Sequence, residues 1–284
     1  MKTYNDIYLE TRNALRASGI EGYTLEARLL VATAAGKSVA ELLRDINLYT
    51  TAAIDAEVQE LTRRRLAGEP VAYITGAWEF YGLPMKVTPD VLIPRMDTEL
   101  LVTTAKELLL GRKMDARILD LCCGSGCIAC ALGHELPATK LVAVDISANA
   151  LEIARENFAS NRLGSRAICI QADATSSPPM SIGQFDMIVS NPPYIASAEI
   201  MTLDASVRDY EPLGALDGGE DGYRFYKAII KYWKSLLRPG GFLLFEVGEG
   251  QAATVKDMLS SAGFRAVGSR LDTLNIERVV IGKM

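Results

Sequence analysis

The chain has 284 residues, 49% of them hydrophobic and 23% charged, and a net charge of −5. That length predicts one large or two unequal units with enough residues for a sizeable core. No run approaches the ~18 uninterrupted apolar residues of a membrane helix. An acidic balance argues against a protein whose main affinity comes from wrapping nucleic-acid backbone. The start, Met1 to Asp6, lacks the apolar core of a signal peptide, so a cytoplasmic protein is expected. The five cysteines, Cys122, Cys123, Cys127, Cys130 and Cys169, are odd in number and mostly crowded together, which argues against a disulfide framework.

Residues 1–72 read as a small helical domain. Tyr4, Ile7, Tyr8, Thr11 and Leu15 fall at three- and four-residue spacing, and Leu25, Leu29 and Leu30 begin a second stripe. Ser38-Val39-Ala40-Glu41 is a capping-box pattern, and a longer helix from Thr51 to Ala67 stops at Gly68 and Pro70. Arg63-Arg64-Arg65, the densest basic cluster, reads as a solvated helix face. Residues 73–94 are short apolar pieces broken by glycine and proline, predicting a small hairpin or extended connector.

From residue 95 to 284, apolar β-type runs alternate with helical segments: Arg117 to Leu121, Lys140 to Val144, Ala167 to Ile170, Phe185 to Val189 and Phe242 to Val247. This is the pattern of an α/β fold with a mostly parallel sheet. Residues 195–219 carry little periodicity and many turn formers, as expected for a substrate-contacting segment or lid. Two β-like runs in the tail, from Gly263 to Gly282, would add an edge hairpin.

Four predicted strands finish on polar residues: Asp120, Asp145, Asp173 and Asn191. Ligands of open α/β sheets bind at the carboxyl ends of strands, so these side chains are expected on one rim. Gly124-Ser125-Gly126 follows the first strand, where glycine admits a ligand close to the backbone and the next helix offers free N–H groups. Asp145, nineteen positions after Gly126, is placed to accept from ribose hydroxyls, and Asp173 from an adenine amine. Asn191-Pro192-Pro193-Tyr194 is a stiff turn without proline N–H donors. The Asn191 amide oxygen and the Pro192 carbonyl can face a planar NH2 group, with Tyr194 as an aromatic wall.

Asp120-Leu121-Cys122-Cys123-Gly124-Ser125-Gly126, Asp145, Asp173 and Asn191-Pro192-Pro193-Tyr194, in this order, resemble a class I S-adenosylmethionine-dependent methyltransferase acting on amino groups. Gly68 to Gly76, Leu92 to Glu99, Tyr210-Glu211-Pro212 and Gly218 to Gly222 extend the resemblance, over essentially the whole chain, to the HemK/PrmC family. These enzymes methylate the glutamine of the Gly-Gly-Gln loop in peptide chain release factors. The resemblance implies a Rossmann-like seven-stranded sheet and an N-terminal helical domain that holds the release factor. It implies cofactor contacts at Cys122, Cys123, Gly124, Ser125 and Gly126, and at Asp145, Asp173, Ala174 and Asn191. Asn191, Pro192, Pro193 and Tyr194 would take the substrate amide, with Asn191, Pro192 and Tyr194 the catalytic group. Neither a metal nor a nucleic-acid substrate is implied. Met96 stands where the family usually has a second proline, and Cys122-Cys123 replaces a commoner Gly-Thr or Cys-Thr pair.

Other readings use some of the same residues. Cys123-x3-Cys127-x2-Cys130 has the spacing of a radical S-adenosylmethionine iron–sulfur triad, but overlaps the glycine turn and a helix start. A nicotinamide dehydrogenase uses the glycine turn and Asp145 but gives Asn191 to Tyr194 no task. An adenine-amine methyltransferase of nucleic acid uses the same motif, against the chain's acidity and the lack of an obvious target-recognition region. A non-catalytic cofactor-binding adaptor would not need Asn191 to Tyr194. His134 and Glu246 receive no role.

Overall fold

The computed structural model describes residues 1–110, 115–180 and 182–284. Their contacts divide the chain into two units, Met1–Ala77 with Asp204–Tyr210, and Trp78–Leu203 with Glu211–Met284. Among the described residues no helix is long and apolar enough to cross a membrane.

The first unit is helical: α1 (Tyr4–Ala17), α2 (Tyr23–Ala34), α3 (Val39–Arg44), α4 (Ala52–Leu66) and α5 (Val71–Thr75). Helix α1 begins at a capping box between Thr3 and Asp6, and α3 at the one between Ser38 and Glu41. Each box satisfies backbone N–H groups that a helix start leaves unpaired. Tyr4, Ile7, Thr11 and Leu15 form the buried stripe of α1. On α2 the buried face is Ala27, Leu30 and Val31, whereas Leu25 is exposed. Pro70 starts α5 rather than merely ending α4, and the four buried residues Val71 to Ile74 carry this unit past residue 72. The arginine run is not one solvated face. Arg63 pairs with Glu60 on the surface, Arg64 with Glu69, and the largely buried Arg65 with Glu26, joining α4 to α2.

From Trp78 on, the second unit holds the hairpin of β1 (Ala77–Phe80), whose first residue still belongs to the first unit, and β2 (Leu83–Lys86). Its two turn residues, Tyr81 and Gly82, both have positive φ, which matches the twist of a two-residue hairpin. There follow α6 (Thr98–Leu109), β3 (Arg117–Leu121), α7 (Cys127–Glu135), β4 (Lys140–Asp145), α8 (Ala148–Ser160), β5 (Ala167–Gln171) and β6 (Phe185–Ser190). Next come α9 (Ala205–Arg208), α10 (Arg224–Tyr232), β7 (Leu237–Glu246), α11 (Ala252–Ser261), β8 (Arg265–Leu271) and β9 (Glu277–Lys283). Helix α9 lies in the stretch grouped with the first unit.

The seven-stranded sheet has the order β5-β4-β3-β6-β7-β9-β8. The first five of these strands are parallel and β9 is antiparallel to both β7 and β8, giving the mixed edge expected from the tail. From β3 the chain steps outward to β4 and β5, then returns to place β6 on the other side. Such a reversal opens a crevice at the carboxyl ends of the central strands.

Alternation along the strands divides the core between the two faces of the sheet. Ile118, Leu141, Ala143, Met187 and Val189 join one apolar cluster with Leu101, Val102, Ile128 and Leu151 of the helices. Leu119, Val142, Val144, Ile188 and Leu243 join the other with Tyr226, Ile229, Val255 and Leu259. Each fully buried side chain of this size contributes about 1.5–3 kcal/mol, so cover on both faces fixes which way every strand turns. Trp233, fully buried just after α10, donates from Nε1 to the Ala174 carbonyl at 3.0 Å. It thereby ties the loop after β5 to the helical layer. Trp233→Phe should cost about 2–4 kcal/mol, combining lost volume with an unpaired carbonyl; urea unfolding measures it.

Candidate active site

The crevice is a cavity of about 440 Å³ lined from several strand ends and the segments that follow them. The turn after β3 is built from unusual backbone. Cys122, Gly124 and Gly126 all have positive φ. At Gly126 a Cβ would meet Phe158 of α8 at 2.7 Å and Ala154 at 3.1 Å, so this glycine lets the turn lie against α8. At Gly124 nothing stands within 4 Å of the Cβ position, which leaves the backbone open to the cavity. Asn157 of α8, buried, donates to the Ser125 carbonyl at 2.9 Å and fixes the turn from below.

Asp145 closes the other side. Its Oδ2 accepts the Gly124 N–H and its Oδ1 the Ser147 N–H, both at 2.9 Å. Burial raises its pKa, and the two backbone donors pull it back. Asp173 accepts from Thr175 N–H and hydroxyl at 2.7 Å and from the Ser176 hydroxyl at 3.2 Å. Desolvation pushes its pKa up, but these donors outweigh it and hold the carboxyl below the usual value. Ala174 lines the cavity beside it.

Asn191 stands at the end of β6, its Nδ2 donating to the Thr98 hydroxyl oxygen at 3.1 Å. Pro193 also lines the cavity, whereas Pro192 and Tyr194 lie outside its lining. The Tyr194 carbonyl accepts from Gln251 Nε2 at 2.9 Å. The Gly218 and Gly222 Cβ positions fall 2.8 and 2.5 Å from Tyr194 backbone atoms, so this glycine motif allows the two loops to touch. Burial pushes the Tyr194 phenol up to about 12.

Asp120 is a correction to the expected rim. It is a fully buried residue inside β3, not a lining residue of the cavity. Its Oδ2 accepts the Ala129 N–H of α7 at 3.2 Å and its Oδ1 has no partner. Burial pushes its pKa up to about 8. The strand continues past Asp120 to Leu121, and Asp120 accepts from the start of α7 instead of lining the crevice. Residues 195–219 also differ from a featureless loop. They contain 3-10 turns at Ser197–Thr202 and Leu213–Ala215, and Ile195 and Asp217 form a parallel bridge.

Sequence reasoning missed three residues. Arg95 lines the cavity and pairs with the buried Glu211, whose Oε2 also accepts the Ile93 N–H at 3.3 Å. Two separate motifs of the sequence are joined by that contact. Thr98 opens α6 against Asn191. Glu246 ends β7, directly beyond the Ser190–Phe245 pairing of β6 and β7, so it neighbours Asn191. Burial pushes its pKa up to about 7, against the opposing influence of the neighbouring Thr98 and Asn191 side chains. The same polar-strand-end signal that marked Asn191 was present at Glu246.

The donor set separates the readings. Four N–H groups of the turn and helix start are already taken: Cys123 by Val144, Gly124 by Asp145, Gly126 by Cys123 and Ala129 by Asp120. Carboxylates at Asp145 and Asp173 suit hydroxyl, amine and cationic groups, as does the open backbone at Gly124. The buried Ser125 hydroxyl, without a partner, adds a free polar atom. Among the described residues no three His, Cys, Asp or Glu side chains converge as metal ligands. Burial holds Cys123 far above the usual thiol range and Cys127 at about 12.

The fold and this crevice define a Rossmann-like methyltransferase. Residues 96–206 match the methyltransferase small domain and residues 6–76 the PrmC N-terminal domain. The release factor glutamine methyltransferase of Geobacter sulfurreducens is 40% identical over 274 residues, 96% of this chain and 94% of that protein. Its counterpart from Bradyrhizobium diazoefficiens is 42% identical over 250 residues, 87% and 83% of the two chains. The crystal structure of the hMettl16 catalytic domain in complex with MAT2A 3′UTR hairpin 6 is similar in fold, with a TM-score of 0.59 at 18% identity over 78% of this chain and 81% of that one. The chain belongs to the release factor glutamine methyltransferase family. Its methyl donor is S-adenosylmethionine.

Gly126→Ala should lower stability by about 2–4 kcal/mol, because a left-handed backbone and a clash with Phe158 act in the same direction. Thermal unfolding with and without the methyl donor checks this, the ligand-induced shift reporting the loss of the turn's shape.

Proposed function

We propose that this protein transfers the methyl group of S-adenosylmethionine to the side-chain amide nitrogen of the glutamine in the Gly-Gly-Gln motif of peptide chain release factors. The observation that carries this reading is Asn191: its Nδ2 is engaged by Thr98 at 3.1 Å, at the edge of a cavity already provided with carboxylates for an adenosine. Asp145 would accept from the ribose hydroxyls, and Asp173 with Ala174 would hold the adenine. Cys122, Cys123, Gly124 and Ser125 would contribute backbone contacts along the turn. Gly126 would act by shaping that turn.

S-adenosylmethionine supplies a methyl group activated by a sulfonium. A glutamine amide nitrogen is a poor nucleophile because its lone pair is delocalised into the carbonyl. Asn191 Oδ1 and the Pro192 carbonyl would accept its two N–H bonds, fixing the nitrogen in place and stabilising positive charge as it develops there. Pro192 and Pro193 keep that turn stiff and free of competing donors. Tyr194 would pack on the substrate amide plane and exclude water. No general base is required before transfer, since the alkylated nitrogen becomes acidic and releases its proton afterwards. The helical unit, matched to the PrmC N-terminal domain, would hold the body of the release factor. A protein target fits the acidic chain better than nucleic acid does. We place the enzyme in the cytoplasm, where translation terminates.

Methyl transfer from labelled donor to a purified release factor, and to its Gln→Asn variant, tests the reading. Label on the factor and not on the variant is expected; label on DNA with none on the factor would overturn it. Asn191→Ala should bind the donor normally and lose about 10²–10³-fold in kcat. Asp145→Ala should instead weaken donor binding by about 10–100-fold, the worth of hydrogen bonds to a charged acceptor. Calorimetric donor affinity measured beside turnover separates the two, and equal loss of affinity in both variants would contradict these roles.

A further inference from the structure

Glu246 is a carboxylate in an expensive place. It is 2% exposed, its Oε2 has no hydrogen-bond partner, and burying a charge so poorly satisfied destabilises a fold. A neutral side chain would be less costly, so the position calls for something only an ionised carboxylate provides. What distinguishes it is that it accepts hydrogen bonds and never donates them.

Its partners show where that property acts. Glu246 neighbours Asn191 across the β6–β7 pairing, the hydrogen-bonding groups of Thr98 and Asn191 both lower its pKa, and Asn191 Nδ2 donates to the Thr98 hydroxyl oxygen at 3.1 Å. With its oxygen already accepting from Asn191, the Thr98 hydroxyl is left to donate to the carboxylate, and Asn191 keeps a second amide hydrogen for the unpartnered Glu246 Oε2. We propose that Glu246 and Thr98 are positioning residues that occupy both hydrogens of the Asn191 amide, so that Asn191 presents only its oxygen to the substrate. The proposal rests on the role given to Asn191 above.

The device is needed because a side-chain amide has two nearly isosteric orientations. A threonine hydroxyl both donates and accepts, and by itself tolerates either. Turned over, Asn191 would direct its NH2 at the substrate NH2, donor against donor, and its oxygen at Glu246. The ionised carboxylate repels that oxygen, whereas a protonated carboxyl can donate to it. Ionisation of Glu246 therefore selects the productive orientation.

The surroundings set where that ionisation falls. Burial raises the Glu246 pKa to about 7, the hydrogen-bonding groups of Thr98 and Asn191 lower it, Asp97 before α6 raises it, and Arg278 of β9 lowers it. Tyr194, Tyr226 of α10 and Cys127 of α7 also face its charge, but burial keeps all three protonated. The Tyr226 hydroxyl is engaged with the backbone carbonyl of Glu246 at 2.9 Å. The active form is the ionised one. Activity is present above this pKa and lost as pH falls through about 7.

The test compares wild-type protein, Glu246→Gln, Thr98→Val and Thr98→Ser, with a purified release factor as substrate. Glu246→Gln should lower kcat by about 10–100-fold, the worth of a hydrogen bond to a charged group. It should also remove the acid limb of the kcat profile, with donor affinity unchanged by calorimetry. Thr98→Val should lower kcat and Thr98→Ser restore it. In the free protein, the Asn191 side-chain amide signals, assigned by their absence from Asn191→Ala, should titrate with a midpoint near 7 in wild type and not in Glu246→Gln. Wild-type kcat with an unchanged acid limb in Glu246→Gln, or Asn191 signals indifferent to pH in wild type, would overturn the proposal. If Glu246→Gln fails to fold, the Thr98 pair and the wild-type titration decide it. Should the wild type fail to methylate the release factor, the proposed function falls, while the Asn191 titration still tests the positioning role.

Discussion

Parallel strands place all their carboxyl ends on one rim, and in this chain that constraint governs the whole site. The reversal of strand order between β3 and β6 opens a crevice at the rim. The turn after β3 and the ends of β4, β5 and β6 converge on it, so residues 122 to 193 reach one cavity from four strands. Apolar cover on both faces holds the strands, and with them the side chains at their ends. Precision in the crevice is thus inherited from the core.

Carboxylates divide into two kinds within this frame. Asp145 and Asp173 stand at the cavity, supported by backbone or hydroxyl donors and available to further ones. Asp120 and Glu246 are buried outside its lining, each with one oxygen unpartnered and a pKa raised by burial. The first pair can bind; the second acts on neighbours. Asp120 anchors the start of α7, and Glu246 stands behind Asn191. Buried, partly satisfied acids cost stability, which places them where a neutral residue would lose a specific function.

Much of this was legible in the sequence because periodicity and strand-end chemistry are local. Alternating runs gave the mostly parallel sheet and the edge hairpin, and polar residues after apolar runs marked Asp145, Asp173 and Asn191. The same rule misplaced Asp120, since a strand can continue past the residue that breaks its apolar pattern when that residue finds a buried donor, here Ala129. It passed over Glu246 because the partner of that carboxylate is set by strand order. Neighbouring strands β6 and β7 are far apart in the chain, and Thr98 arrives from further still. Arg95 and Glu211 illustrate the same limit: their pairing crosses more than a hundred residues. The arginine run at 63–65 shows the reverse case, in which three adjacent and identical side chains meet three different environments on one helix.

The claim on which the account depends is that the rim of β3 to β6 receives the methyl donor with its reacting end toward Asn191. A crystal structure of the protein with S-adenosylhomocysteine tests it most directly. The account requires ribose hydroxyls within hydrogen-bond distance of Asp145, the adenine beside Asp173 and Ala174, and the sulfur on the Asn191 side of the cavity. A product seated away from Asp145, or with its sulfur turned from Asn191, would contradict it.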